Sequence, residues 1–151
     1  MNELATLNST LNQLEKLLYG INYETHFQSK LISKSPDLQI AVNRLNADYT
    51  KNLRSTDLHR VSYPGLKKQI IDHFSYKGFK SSGPELSPAR QEELTSTVNK
   101  LWQVLQQKFN LSSTAIYSLP EIQTWIFWGF CFFIVSKERN AIYLFEGGAS
   151  D

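Results

Sequence analysis

Trp125-Ile-Phe-Trp-Gly-Phe-Cys-Phe-Phe-Ile-Val135 is an unbroken run of eleven residues without a charged or amide side chain, and its conformation decides the fold. A membrane-spanning helix needs about 20 apolar residues, whereas a strand buried on both faces needs only a short continuous run. Pro120, Glu121 and Gln123 precede the run and Ser136-Lys-Glu-Arg139 follows it at once, so it cannot be lengthened to span. Its tryptophan, phenylalanine, isoleucine and valine content suits a pleated surface, while the same side chains lose rotamer freedom in a helix. Both alternating sets are apolar, Ile126 to Ile134 and Trp125 to Val135, so the strand must be covered on both faces. About ten large side chains, at roughly 1.5–3 kcal/mol each on burial, make it the dominant contributor to the core.

Working outward, Ser136-Lys-Glu-Arg-Asn140 is a polar connection and Ala141-Ile-Tyr-Leu-Phe145 a second β-prone run, which together predict a hairpin. A hairpin alone is marginal in water, and Thr114-Ala-Ile-Tyr117 is the candidate third strand. The predicted sheet therefore comprises 114–117, 125–135 and 141–146. Gly147-Gly-Ala-Ser-Asp151 reads as a frayed tail following a single domain over 1–146.

Four helices are expected upstream. Leu4, Leu7, Leu11, Leu14 and Leu18 recur at alternating spacings of three and four, an amphipathic helix over 3–19 stopped by Gly20. The same spacing is a heptad, but about two and a half heptads without charged flanks favour docking on the chain's own sheet over a homodimeric coiled coil. Ser35-Pro36 and Ser87-Pro88 are matching helix starts, a serine N-cap followed by a proline that loses no hydrogen bond at the first helical position. They predict helices over 36–54 and 88–109, and Tyr63-Pro64-Gly65 introduces a shorter one over 64–76. Helices followed by a strand-rich C-terminal third make the chain α+β.

At 151 residues the chain is expected to hold one core, and 41% hydrophobic with 20% charged residues is the composition of a soluble globular protein. The single cysteine, Cys131, excludes an internal disulfide and a multi-cysteine metal site. With no basic region leading into an apolar stretch at the N-terminus, a cytoplasmic setting is expected. His26, His59 and His73 lack the spacing that pairs imidazoles on one helical face, Cys131 sits among phenylalanines that raise rather than lower a thiol pKa, and no serine elbow or phosphate-binding loop is present. No catalytic, cofactor-binding or metal-binding residue is therefore assigned, and the chain is not expected to be an enzyme.

Charge is unevenly placed. Residues 51–80 hold Lys51, Arg54, Arg60, Lys67, Lys68, Lys77 and Lys80 against Asp57 and Asp72, a local balance of +5; the whole chain carries +2, which leaves −3 for the remainder. Tyr63, Phe74, Tyr76 and Phe79 are interleaved with these cations. The leading expectation is a non-catalytic adaptor or assembly factor that engages another protein, with an acidic or extended segment, by strand addition at a sheet edge formed by 141–145. Its anchors would be Trp125, Trp128, Tyr143 and Phe145. The alternative is a nucleic-acid-binding regulator that uses Arg54, Arg60, Lys67, Lys68, Lys77 and Lys80, with the interleaved rings stacking on bases.

Overall fold

Trp128–Ser136 is a strand (β4), and its antiparallel partner across the Lys137–Asn140 turn is Ala141–Ser150 (β5). Asn140 takes the left-handed conformation (φ 54°) that closes the turn, a geometry asparagine tolerates better than branched residues. The computed structural model describes residues 4–18, 24–74, 87–111, 114–119 and 128–150. The other elements are helices α1 (Ala5–Leu18), α2 (Leu38–Tyr49), α3 (Tyr63–Phe74) and α4 (Pro88–Phe109), and strands β1 (Glu24–Ser33), β2 (His59–Val61) and β3 (Ala115–Ser118). The strands form one antiparallel sheet in the order β1-β5-β4-β3-β2.

The α+β expectation is met, and the apolar hairpin is enclosed as its two-sided pattern requires. One face carries Phe130, Phe132, Ile134, Tyr143 and Phe145 against the leucine stripe of α1, Leu66 and Ile70 of α3, and Leu101, Trp102, Leu105 and Phe109 of α4. Its aromatic rings interlock, Phe130 stacking on Phe145 at 5.4 Å and Phe109 meeting Tyr143 at 4.9 Å between centroids. The opposite face, with Cys131, Phe133, Val135, Ile142 and Leu144, is covered by Ala41, Val42 and Leu45 of α2. The stripe of α1 is thus consumed inside the chain, with Leu7, Leu11 and Leu14 fully buried.

Local chemistry sets the helix ends. Ser87 caps α4 by accepting from Arg90 N (3.3 Å), as its Ser-Pro start predicts. In α2 the cap moves two residues on: Asp37 accepts from Gln39 N and Ile40 N, while Ser35 instead accepts from Asp37 N. The same helix stops at Thr50, in the left-handed region, rather than at 54, because the Asn46 side chain bonds both Leu53 N and Leu53 O and turns the chain away.

Three features depart from expectation. β1 and β2 carry no strong apolar alternation and were not foreseen; β1 nevertheless pairs along its length with β5. β5 is therefore a central strand, not an edge. It also continues through Ser150, so residues 147–150 belong to the sheet and are not a frayed tail. The glycines read as fraying serve packing instead: a Cβ on Gly147 would lie 2.8 Å from Phe130 Cζ and from Phe27 Cε1, so only a bare backbone lets both rings close over it.

The outer side of β1 is capped by α1. Asn8 mimics a neighbouring strand, its Nδ2 donating to Ser29 O (3.1 Å) and its Oδ1 accepting from Ser29 N (3.0 Å). Glu15, seven residues on and so on the same helical side, accepts from Phe27 N at 2.7 Å, and its carbonyl accepts from Thr25 Oγ1. Phe27 N and both backbone groups of Ser29 are thus occupied by α1, which blocks strand addition along the middle of this edge.

Two outcomes test this packing. Asn8→Ala should lower stability by about 1–3 kcal/mol in urea titrations, because it strands both groups of Ser29, and should introduce concentration-dependent association in size-exclusion chromatography. Gly147→Ala should cost about 1–3 kcal/mol or more by overpacking the Phe27–Phe130 contact.

Candidate functional site: a basic, short sheet edge

The second edge of the sheet, β2, is built differently from the first. It is three residues long and pairs with β3 alone, His59 opposite Ser118 and Val61 opposite Ile116. His59 and Arg60 are exposed, and no other described strand borders it. β2 is short because Pro64 and the Ser62 cap, whose Oγ accepts from Gly65 N at 3.1 Å, turn the chain into α3 immediately afterwards.

The described cationic residues of 51–80 flank this strand in sequence. Lys51 and Arg54 lie on the approach from α2, Arg60 within β2, and Lys68 on α3, all exposed. Lys67 behaves otherwise: half-buried, its Nζ lies 5.3 Å from the Tyr63 ring and 5.5 Å from that of Trp102, clamping α3 to α4. The Arg60 guanidinium lies over the Tyr117 ring at 5.7 Å. Burial of Tyr63 also pushes its phenol above the ordinary value. Tyr63 and Tyr117, the described rings next to the patch, are thus already covered by the chain's own cations. Lys77 and Lys80 lie outside the described residues, as do Tyr76 and Phe79.

The expected anchors are not at this edge. Tyr143 and Phe145 are 2% and 0% exposed, because β5 is flanked by strands on both sides and these two side chains point into the α1–α4 core. Trp125 lies outside the described residues, and Trp128 is placed only as the first residue of β4.

The sheet also holds a polar centre that sequence reading missed. Glu146 is 1% exposed on the α2 face, one step beyond Ile142 and Leu144. Its Oε1 accepts from Tyr49 Oη (3.2 Å) and from Gln28 Nε2, and Gln28 Nε2 lies 3.3 Å from Tyr49 Oη. Burial raises the Tyr49 phenol above its usual pKa, opposed by the hydrogen bond from Lys30 and reinforced by the Glu146 charge. Lys30 lies over the same ring at 4.7 Å. The cluster ties the C-terminal turn of α2 to the two strands beneath it, a structural use of polar groups in the sheet interior. The signal for it was parity: with 142 and 144 facing inward, residue 146 must face inward too.

Cys131 neighbours this cluster. Burial pushes its thiol well above the ordinary value, and Glu146 adds to the rise. Iodoacetamide at pH 8 should therefore leave Cys131 unmodified in the native protein and label it only in denaturant; rapid native labelling would contradict the buried placement. Among the described residues no group of histidine, cysteine and carboxylate side chains converges as a metal site would require, and no described helix is long and apolar enough to cross a membrane.

Among the described residues these features define an α+β protein with three helices on one face of a five-stranded antiparallel sheet and one on the other, guarded by α1 at one edge and short and basic at the other. No protein-family model matches the chain, and no curated protein matches it. Among solved structures it is similar to citrus MAF1 in two crystal forms. One has a TM-score of 0.60 at 14% identity, covering 94% of this chain and 97% of that one. The other has a TM-score of 0.57 at 15% identity, covering 93% and 98%. At such identity the likeness is one of fold.

Proposed function

We propose that this protein is a non-catalytic binding module that holds an extended, acidic segment of another protein along β2. The observation that carries the reading is that the sheet edge left without a strand neighbour among the described residues carries exposed Arg60 and is flanked in sequence by exposed Lys51, Arg54 and Lys68. An added strand supplies main-chain hydrogen bonds, and the cations supply attraction and partner choice. The other edge is less suited, since Asn8 and Glu15 occupy the outward groups of Phe27 and Ser29 in the middle of β1.

The nucleic-acid alternative draws less support. Tracking a single strand requires rings free to stack on bases, and Tyr63 and Tyr117 are covered by Lys67 and Arg60.

A tagged pull-down that compares the native chain with an Arg54→Glu/Lys68→Glu variant tests the reading. The expected result is a discrete protein partner, lost about tenfold or more on charge reversal, with capture declining gently between about 50 and 300 mM salt. Retention on oligonucleotide columns that collapses steeply over the same range, without a protein partner, overturns it in favour of nucleic acid.

A further inference from the structure

Beside β2 the sheet has a notch. β2 ends at Val61, opposite Ile116, whereas β3 and its neighbour β4 continue through the Ala115–Val135 pair. The space opens into a cleft of about 320 Å³ bordered by Arg60, Thr114, Ala115, Val135, Lys137 and Glu138. A volume of that size fits one side chain or small ligand group rather than a whole peptide.

The chemistry of the cleft selects an anion. Arg60 of β2 and Lys137, just beyond the end of β4, both line it, and Glu138 offsets one of the two charges. Among the described residues no carboxylate pairs with Arg60, whose guanidinium rests on the Tyr117 ring. The nearby C-terminus of α4 would oppose an anion through its last carbonyls, but these are already engaged. Thr114 Oγ1 donates to Phe109 O and Asn110 O, and Arg139 Nε donates to Lys108 O (3.3 Å). The floor, made by Ala115 and Val135, is apolar and suits the methylene of a short acidic side chain.

We propose that this cleft is a carboxylate pocket: it receives an aspartate or glutamate side chain from the segment bound along β2, held between Arg60 and Lys137. The proposal rests on the reading of β2 as the binding edge. A segment lying against β2 points every second side chain to the Arg60 face, so one acidic residue at the right position enters the cleft while its neighbours remain outside. The pocket thereby sets register as well as charge preference.

Two probes separate the pocket from the edge. The first is a dye-labelled peptide of alternating valine and threonine with one central aspartate, compared with its asparagine counterpart by fluorescence anisotropy. The aspartate peptide should bind about five- to tenfold more tightly. That ratio should fall to about one in Lys137→Ala and Arg60→Gln and rise about twofold in Glu138→Gln, whereas Lys68→Ala, outside the cleft, should leave the asparagine peptide unaffected and lower the ratio by less than about twofold. Equal binding of the two peptides, or a ratio indifferent to Lys137→Ala, overturns the pocket while leaving the edge intact. Absence of binding by either peptide overturns the edge. The second probe then judges the pocket by itself: N-acetylaspartate N-methylamide at tens of millimolar, whose only carboxylate is the side chain, should shift the Ala115, Ser136 and Lys137 amide resonances, and N-acetylasparagine N-methylamide should not. Identical shifts from the two compounds overturn the pocket.

Discussion

Everything in this fold follows from the need to cover β4 and β5 on both faces. The two strands place phenylalanine, isoleucine, leucine and tyrosine side chains above and below the sheet, so a helix layer on one side alone would leave a row of large apolar groups in water. The chain meets the demand asymmetrically. Among the described residues three helices lie over the more aromatic face, where Phe27, Phe109, Phe130, Phe132, Tyr143 and Phe145 cluster, and α2 lies over the other, where Phe133 is joined mainly by aliphatic side chains. Where α2 runs out, at Tyr49, the sheet interior turns polar and Glu146 Oε1 accepts from Gln28 and Tyr49. The composition of each face matches the width of what covers it.

Once the centre is enclosed, the edges decide what the protein can do. An exposed edge strand is a template for further pairing, and the two edges here are handled in opposite ways. On β1 the side-chain amide of Asn8 and the carboxylate of Glu15 stand in for a neighbouring strand, so α1 serves both as a core helix and as an edge guard. On β2 protection comes from shortness and positive charge, which deter a second copy of the same basic edge while leaving an acidic chain welcome. On the proposed reading, one guarded edge and one selective edge would let the protein bind a partner without indiscriminate polymerisation.

If β2 is the binding edge as proposed, the notch at its end would add a finer level of selection. Long-range attraction from Lys51, Arg54 and Lys68 would gather any acidic segment, because charge at the surface is not read residue by residue. A pocket that accommodates one carboxylate converts that general attraction into a preference for an acidic residue at one position. In such an arrangement the aromatic rings of the patch are scaffolding: Tyr117 supports Arg60, and Tyr63 with Trp102 anchors Lys67.

Much of this was written locally. The leucine stripe of α1, the Ser87-Pro88 start of α4 and the two-sided apolar run of β4 each concern residues within a few positions of one another, and periodicity and capping chemistry fixed their form before any partner was present. Strand order was not legible in this way. β1 is a polar stretch whose strand character exists because β5, more than 100 residues later, pairs with it and because Asn8 and Glu15 satisfy its far side. That pairing moved Tyr143 and Phe145 from a supposed edge into the centre, turned Gly147 and Gly148 from a tail into sheet, and left β2 as the accessible border. Sequence alone determined which segments must be buried and which carry charge; tertiary structure alone decided which strand would be outermost, because hydrogen bonding between strands is a non-local choice that no single segment encodes.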